Sequence, residues 1–474
     1  MKNEWFEWER ESTIHPLFLT LESGMTALKP YFGESWPDTI LIFRGPVVLW
    51  CNKVEDLRKL GERMIDHYLE EKNLTKMLFD LDRETKRLRG NFSKIDALNL
   101  SGISDAELLN TYEELRKSFL DWFAIGWLVE PVAIQGEHLT LKKTQDKKAI
   151  SVLTSTTKDS FSKRGLMDLL RIAQMKKDGK DIEKALAAHA KKYFWIQNNY
   201  FKTRILDKAF FEGELKNVIG EYPEPKKYLL ELDEMNKKTE LEKEKTMDLL
   251  GFNQKDRKLF ELLDLFGWFQ DYRKEYTMQF CHYLDLVLAE IGKRNSYSAW
   301  EMKYTLPADI KPIIGKKFDK CEIEKRMKNC IIVWDKGKKN YELYVGEIAL
   351  QKEKGLFKAS DVQETIEISG MVASPGKVEG KVRVTMSADD AKDILEGEIL
   401  VTSMTSPDFV VAMKKAAAVV TNEGGITCHA AIIAREFGIP CVVGTKIATK
   451  VFKTGDLIEV NANHGFVRKI ARKN

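Results

Sequence analysis

The chain has 474 residues, enough for about three domains at the usual 100 to 200 residues each. Lysine and arginine number 76 against 72 aspartates and glutamates, a net charge of +4, which disfavours a protein that reads nucleic acid through its overall field. Apolar residues make up 43% and charged residues 31%, a globular balance that sets aside disordered and fibrous classes.

The first residues, MKNEWFEWERE, are charged from the second position onward and carry no apolar leader, so secretion is not expected. No run approaches the roughly 18 consecutive apolar residues of a membrane span. Six scattered cysteines (Cys51, Cys281, Cys321, Cys330, Cys428, Cys441) form no C-x-x-C pair, which fits a reducing cytoplasm.

Along the chain, ILIFRGPVVLW at 40–50 predicts two short strands around an Arg-Gly-Pro turn. From Val132 to Tyr222 there is no proline, and 181–217 and 254–293 carry apolar residues at three- and four-residue spacing, which predicts long amphipathic helices. At 331–350, IIVW and YELYVGEIAL flank a polar DKGKKN loop and read as β-rich. Composition changes near 368: ten of the 29 glycines lie in the last 105 residues, while all ten tryptophans lie between Trp5 and Trp334. Beyond this point Val382–Met386, Glu398–Thr402, Ala417–Thr421, Cys441–Val443 and Leu457–Val460 read as strands, with SADDAKDIL, SPDFVVAMKKA and CHAAIIAREF as helices. The expected fold class is multidomain, a largely α-helical N-terminal part with small β elements followed by a compact α/β domain. The expected division is 1–130 an α+β region, 131–351 a helical substrate or docking domain, 352–367 a hinge linker and 368–474 the α/β domain.

The chemistry concentrates in AAAVVTNEGGITCHAAIIAREFGIPCVVGT, 416–445. A strand ends at Thr421, a Gly424-Gly425 loop follows, and Thr427 is placed to cap a helix whose first turn holds Cys428 and His429. Gly438 and Pro440 stop that helix. An imidazole at the positive end of a helix is held neutral and nucleophilic, and N–H groups without helical partners stand ready for phosphoryl oxygens. A histidine that merely packs at a helix start is the alternative reading.

Residues 370–445 resemble the swivelling phosphohistidine domain of the phosphoenolpyruvate-utilising enzymes. The resemblance rests on GMVASPGKVEGKVRV at 370–384, ILVTSMTSPDF at 399–409 and VVTNEGGITCHAAIIAREFGIPCVVG at 419–444, in which T-x-x-G-G-x-x-[CS]-H-[AG]-[AS] is complete. It implies that His429 takes up a phosphoryl group at one site and that the domain swings to deliver it at another. Thr427 and Cys428 are then the neighbours of the nucleophile, Gly424, Gly425, Ser374 and Gly376 the phosphate-binding candidates, and Arg435 matches an A-R position that a structural ion pair also explains. The chain departs from the synthase pattern at Ile426 (usually Arg), at Glu423 (usually basic) and at Asn461-Ala462-Asn463-His464-Gly465.

Synthases and dikinases of this family carry an ATP-grasp domain, and several carry a barrel. The chain ends about 30 residues past Gly444, too few for a barrel of roughly 250 residues. None of its earlier glycines forms G-x-G-x-x-G or G-x-x-x-x-G-K. The resemblance therefore implies a stand-alone form, similar to split phenylphosphate synthase or to the substrate-plus-histidine part of rifampicin phosphotransferase. Its donor would be an ATP-grasp type partner subunit. No tightly bound cofactor or metal set is expected on this chain; magnesium and ATP, or phosphoenolpyruvate, would sit at the donor site. For a small-molecule acceptor, His189, Tyr193, Ile196 and Tyr200 are expected on one helical face, and Arg273 beside the stripe of Phe266, Phe269, Tyr276 and Phe280. The core alternative holds for each. Neither a nucleic-acid nor a membrane partner is expected. The function expected is a phosphotransferase component; the alternative is a phosphocarrier or regulatory protein that docks on other proteins without small-molecule chemistry.

Overall fold

The computed structural model describes residues 5–356, 367–405, 409–424 and 428–470. It divides into two compact units, one of Met1–Gly136, Asn199–Lys202 and Gln279–Glu364, the other of Glu137–Asn198, Thr203–Met278 and Thr365–Asn474.

The first unit is built on a five-stranded antiparallel sheet with β1 Trp5–Glu11, β2 Thr39–Arg44, β3 Val47–Lys53, β4 Asn329–Trp334 and β5 Glu342–Val345 in the order β1-β3-β2-β4-β5. The expected hairpin at 40–50 forms, with Ile42 opposite Leu49. Because β2 also pairs with β4 (Thr39 opposite Trp334), the sheet joins residues that a border near 130 would separate. Strand β1 was not expected; its glutamates suit an edge, where charge discourages pairing with other chains. Only the first half of YELYVGEIAL is strand. Gly346 adopts φ +59°, and from there Gly346–Leu356 is helix, reaching into the expected linker, of which 357–366 lie outside the described residues. Beside the sheet, Trp36, Trp122 and Trp127 are buried, and the Trp127 indole donates to the Thr20 carbonyl at 2.7 Å. Gly61 is obligatory here: a methyl on it would sit 2.0 Å from the Pro131 carbonyl oxygen.

Helices supply the first half of the second unit: Phe161–Lys177, Glu183–Tyr193, Lys208–Glu221, Pro225–Leu249 and the N-terminal portion of Gln254–Arg294. The periodic segment 254–293 is one 41-residue helix, whereas 181–217 is broken. Asn199 Oδ1 accepts from the Phe201 and Lys202 N–H groups and Asn198 Oδ1 from that of Arg204, so side-chain amides turn the backbone where a helix would need its own bonds.

The C-terminal half carries an eight-stranded sheet: β6 Glu367–Ser369, β7 Met371–Ser374, β8 Lys377–Val384, β9 Ile399–Thr402, β10 Ala418–Thr421, β11 Cys441–Val443, β12 Leu457–Asn461 and β13 Phe466–Lys469, in the order β6-β13-β12-β8-β9-β10-β11-β7. The expected strand Val382–Met386 starts earlier, at Lys377, and ends at Val384; β6, β7 and β13 were not expected. Neighbours from β8 to β11 run parallel. Both faces of that parallel core are apolar: Leu400 and Val419 pack with Ala430, Ala431, Ile433 and Met413, while Val401 and Val420 pack with Ile458 and Val460. Such a sheet leaves the carboxyl ends of its strands as the place for chemistry.

Candidate active site

Two of those ends, on neighbouring strands, make the site. Strand β10 ends at Thr421, and after the loop the helix His429–Phe437 returns along the sheet to β11. The cap position falls on Cys428, one residue later than expected, with φ −71° and ψ 167°; His429 is the first helical residue. Thr427 and Gly425 lie outside the described residues. The first bond within the helix runs from the Ile432 N–H to the Cys428 carbonyl, so the N–H groups of the first turn make none inside it. Gly438 closes the helix in the left-handed conformation at φ +67°.

Strand β9 supplies the second element. Just past its end, Thr405 Oγ1 lies 2.9 Å from His429 Nδ1. His429 is 2% exposed, and its Nε2 has no hydrogen-bond partner among the described residues. Burial drives the imidazole pKa well below its usual value, and the Lys274 ammonium pushes it the same way, so the ring is neutral at physiological pH. With the proton on Nδ1 and donated to Thr405, Nε2 presents a lone pair. A neutral, oriented, unpartnered ring nitrogen at the start of a helix is a nucleophile beside an anion site. Burial raises the Cys428 thiol above its ordinary value, so it is uncharged.

Gly424, at φ +99°, brings the loop against Cys428: a methyl there would lie 2.6 Å from Sγ. Ser374 and Gly376 sit toward the other end of the histidine helix. Ser374 pairs with Cys441 across β7 and β11, and the Gly376 N–H donates to Asn463 Oδ1 at 3.0 Å while its α-carbon abuts Pro440. Arg435 is at that end too, donating to the Ala373 carbonyl at 2.7 Å and directed to the Thr154 carbonyl and hydroxyl at about 3.5 Å.

The expected acceptor stripe does not form. The helix carrying His189 ends at Tyr193, and Tyr200 belongs to a different unit, where its ring lies 5.2 Å from the Arg10 guanidinium. His189 is packed between Tyr193 and Phe211, at 4.6 and 4.8 Å between ring centres, and burial lowers its pKa to about 4. The Tyr193 hydroxyl donates to Asp168 at 2.9 Å. Arg273 is buried, 8% exposed, on the helix Gln254–Arg294. Thr405 was missed: it stands in the block ILVTSMTSPDF, but its partner is 24 residues away, and no local pattern marks that bond.

Residues 394–465 match the family model described as PEP-utilising enzyme, mobile domain. A probable phosphoenolpyruvate synthase of Archaeoglobus fulgidus is 52% identical over 109 residues, 23% of this chain and 14% of that protein. The phosphoenolpyruvate synthase of Pyrococcus furiosus is 47% identical over 143 residues, 29% of this chain and 18% of that protein. The chain thus aligns with less than a fifth of these relatives' length. Among solved structures, an aconitase X from Thermococcus kodakaraensis aligns over 22% of this chain and 98% of its own at 25% identity, with a TM-score of 0.19. Among the described residues no helix is long and apolar enough to cross a membrane.

Proposed function

This chain carries the mobile domain of the phosphoenolpyruvate-utilising enzymes, and from that premise we propose that it is a phosphotransferase component that relays a phosphoryl group through His429. The observation that carries the reading is the buried, neutral imidazole whose Nδ1 is held by Thr405 and whose Nε2 has no hydrogen-bond partner among the described residues.

In the first half-reaction the Nε2 lone pair attacks the phosphorus of the donor in line; the P–N bond forms as the P–O bond to the leaving group breaks. Nδ1 keeps its proton throughout, and Thr405 accepts that hydrogen bond as the ring gains positive character. The first-turn N–H groups of His429–Phe437, of which those of Ala430 and Ala431 bear on the Cys428 sulfur, put the positive end of the helix beside the developing charge on the phosphoryl oxygens. In the second half-reaction an acceptor oxygen attacks the phosphorus, the P–N bond breaks, and its electron pair returns to Nε2. The acceptor proton leaves to a base of the acceptor site.

The donor belongs to an ATP-grasp type partner subunit, and the acceptor is a small molecule bound by the helical part. Among the described residues no three His, Cys, Asp or Glu side chains converge as a metal set. On this reading magnesium and nucleotide, or phosphoenolpyruvate, belong to the partner's site, where the metal would neutralise phosphate charge, and no step on this chain runs through them.

The test is phosphate labelling of the purified chain and its His429→Ala variant with ATP or phosphoenolpyruvate, each alone and with an extract of the source cells. Acid-labile, base-stable label on the wild type with extract, and none on the variant, is the expected result. Label with ATP alone would place a nucleotide site on this chain and overturn the partner assignment. No label despite an active extract would overturn the relay and favour a non-catalytic docking protein.

A further inference from the structure

The histidine helix carries a further ionisable group near its C-terminal end. Glu436 is seven residues from His429, two turns on, hence on the same face. In the second unit that face packs on the helical half: Phe437 joins the cluster of Leu170, Leu186, Tyr193 and Phe211, and Glu436 Oε2 accepts from Ser160 Oγ at 2.8 Å. Ser160 caps the 17-residue helix Phe161–Lys177, and the next donor, the Phe161 N–H, is given to Asp271 Oδ2 at 2.7 Å. Two carboxyl groups from different halves of the unit thus accept from adjacent donors of one Ser-Phe dipeptide. Asp271 is 2% exposed, and its Oδ1 has no partner among the described residues.

The surrounding charges do not make two carboxylates comfortable. Lys163 bonds Asp159 at 2.6 Å and Asn236 at 3.0 Å, and Arg164 bonds Glu275 at 2.5 Å. Lys274 stands one turn from Asp271 and bears on His429 and Cys428 as well. On the histidine helix itself Arg435 is directed to Ala373 and Thr154. The start of Phe161–Lys177 favours negative charge, but it has two carboxyls to serve. A buried oxygen without a donor opposite a second carboxyl is relieved by a single proton between them.

We propose that one proton shared by Glu436 and Asp271 fastens the histidine domain onto the helical half, so that fastening takes up a proton and release returns it to solvent. In the fastened state Glu436 carries the proton and donates it to Asp271 Oδ1; after release both groups are ionised and hydrated. The inference rests on the relay reading in one respect, that the domain leaves this contact to reach its donor.

Burial, reinforced by the Asp271 charge and opposed by Ser160, places the Glu436 carboxyl at about 8 in the fastened state, against 4.5 for an unperturbed glutamate. Asp271 is raised as well, chiefly by burial. Because the fastened state binds the proton more tightly, fastening is strongest below the free value, weakens about tenfold per pH unit between roughly 4.5 and 8, and is level above.

The experiment is hydrogen exchange on the full chain at pH 5.5 and 7.5, corrected for intrinsic rates, reading the amides of His429–Phe437 and of the first turns of Phe161–Lys177. Wild-type protection should fall about 100-fold between the two values. Glu436→Gln keeps the Ser160 bond and supplies its own donor, and Asp271→Asn supplies a donor from the other side; each should flatten the fall to about threefold or less. Either folded variant retaining the wild-type slope, or a wild type without slope, overturns the shared proton. His429→Ala should retain the full slope, so a failed relay and a failed proton link give separate results.

Discussion

Replacing Thr405 by valine removes one hydroxyl and keeps the shape. The side chain is 3% exposed and its Oγ1 stands 2.9 Å from His429 Nδ1, so the change leaves a buried N–H without an acceptor. An unsatisfied buried donor costs about 1 to 3 kcal/mol. The penalty weakens the hold on the tautomer with the proton on Nδ1, the one whose Nε2 lone pair attacks. At about 1.4 kcal/mol per factor of ten, phosphorylation of His429 should slow by roughly 5- to 150-fold. Thr405→Ser, which retains the hydroxyl, should stay within a few-fold of wild type. The assay is the initial rate of base-stable label with potassium phosphoramidate, a small chemical donor that bypasses any partner, together with the nitrogen-15 shifts of the ring. The rate should also show no titration near pH 6.5, because burial moves His429 far below it. Equal rates for valine, serine and wild type, with unchanged ring shifts, would refute the assignment of Thr405 as the positioning residue.

Gly424→Ala forces a methyl to within 2.6 Å of Cys428 Sγ at a backbone φ of +99°; a loss of about 2 kcal/mol or more is expected in denaturant unfolding of the second unit, with slowed labelling of His429. His189→Phe removes a buried Nδ1 that has no partner among the described residues and keeps the ring contacts to Tyr193 and Phe211, so stability should hold or rise by about 1 kcal/mol and labelling should not change. The same variant sets a pH test. The folded histidine titrates near 4 and the unfolded one near 6.5, so the wild type loses stability as pH falls through that window while the variant does not; an unchanged acid slope in urea melts would contradict the packing reading.

The C-terminal part was more legible than the rest because its signals are local. A strand, a Gly-Gly loop and a helix start lie within a dozen residues around His429, and the parallel strands are short apolar runs between turn residues. What local pattern cannot carry is partnership across distance. Thr405 reaches His429 from the next strand, and Glu436 reads as the ordinary polar end of an amphipathic helix until Ser160 is placed against it. Periodicity failed at 181–217 for a different reason. The apolar spacing runs through Phe194 to Phe201, but the helix ends at Tyr193, and the Asn198 and Asn199 side chains hold the backbone beyond it in a turn, which dissolves the stripe from His189 to Tyr200. Strand β1 was hidden by its charge: alternating glutamates look like a solvated tail, yet alternation is itself the mark of a strand with one side exposed.

The antiparallel sheet of the first unit also sets a schedule for the nascent chain. Strand β2 is made early, but β4, which pairs with it from Thr39 to Arg44, is about 300 residues further along. At ribosomal speeds of roughly 5 to 20 residues per second, the apolar run TILIFR waits on the order of 15 to 60 seconds with one edge open. During that interval its sheet neighbours among the described residues are β3 and, through it, β1. Until β4 emerges, β1, β3 and β2 can form only a three-stranded antiparallel sheet with β3 at its centre and the β2 edge open to other chains.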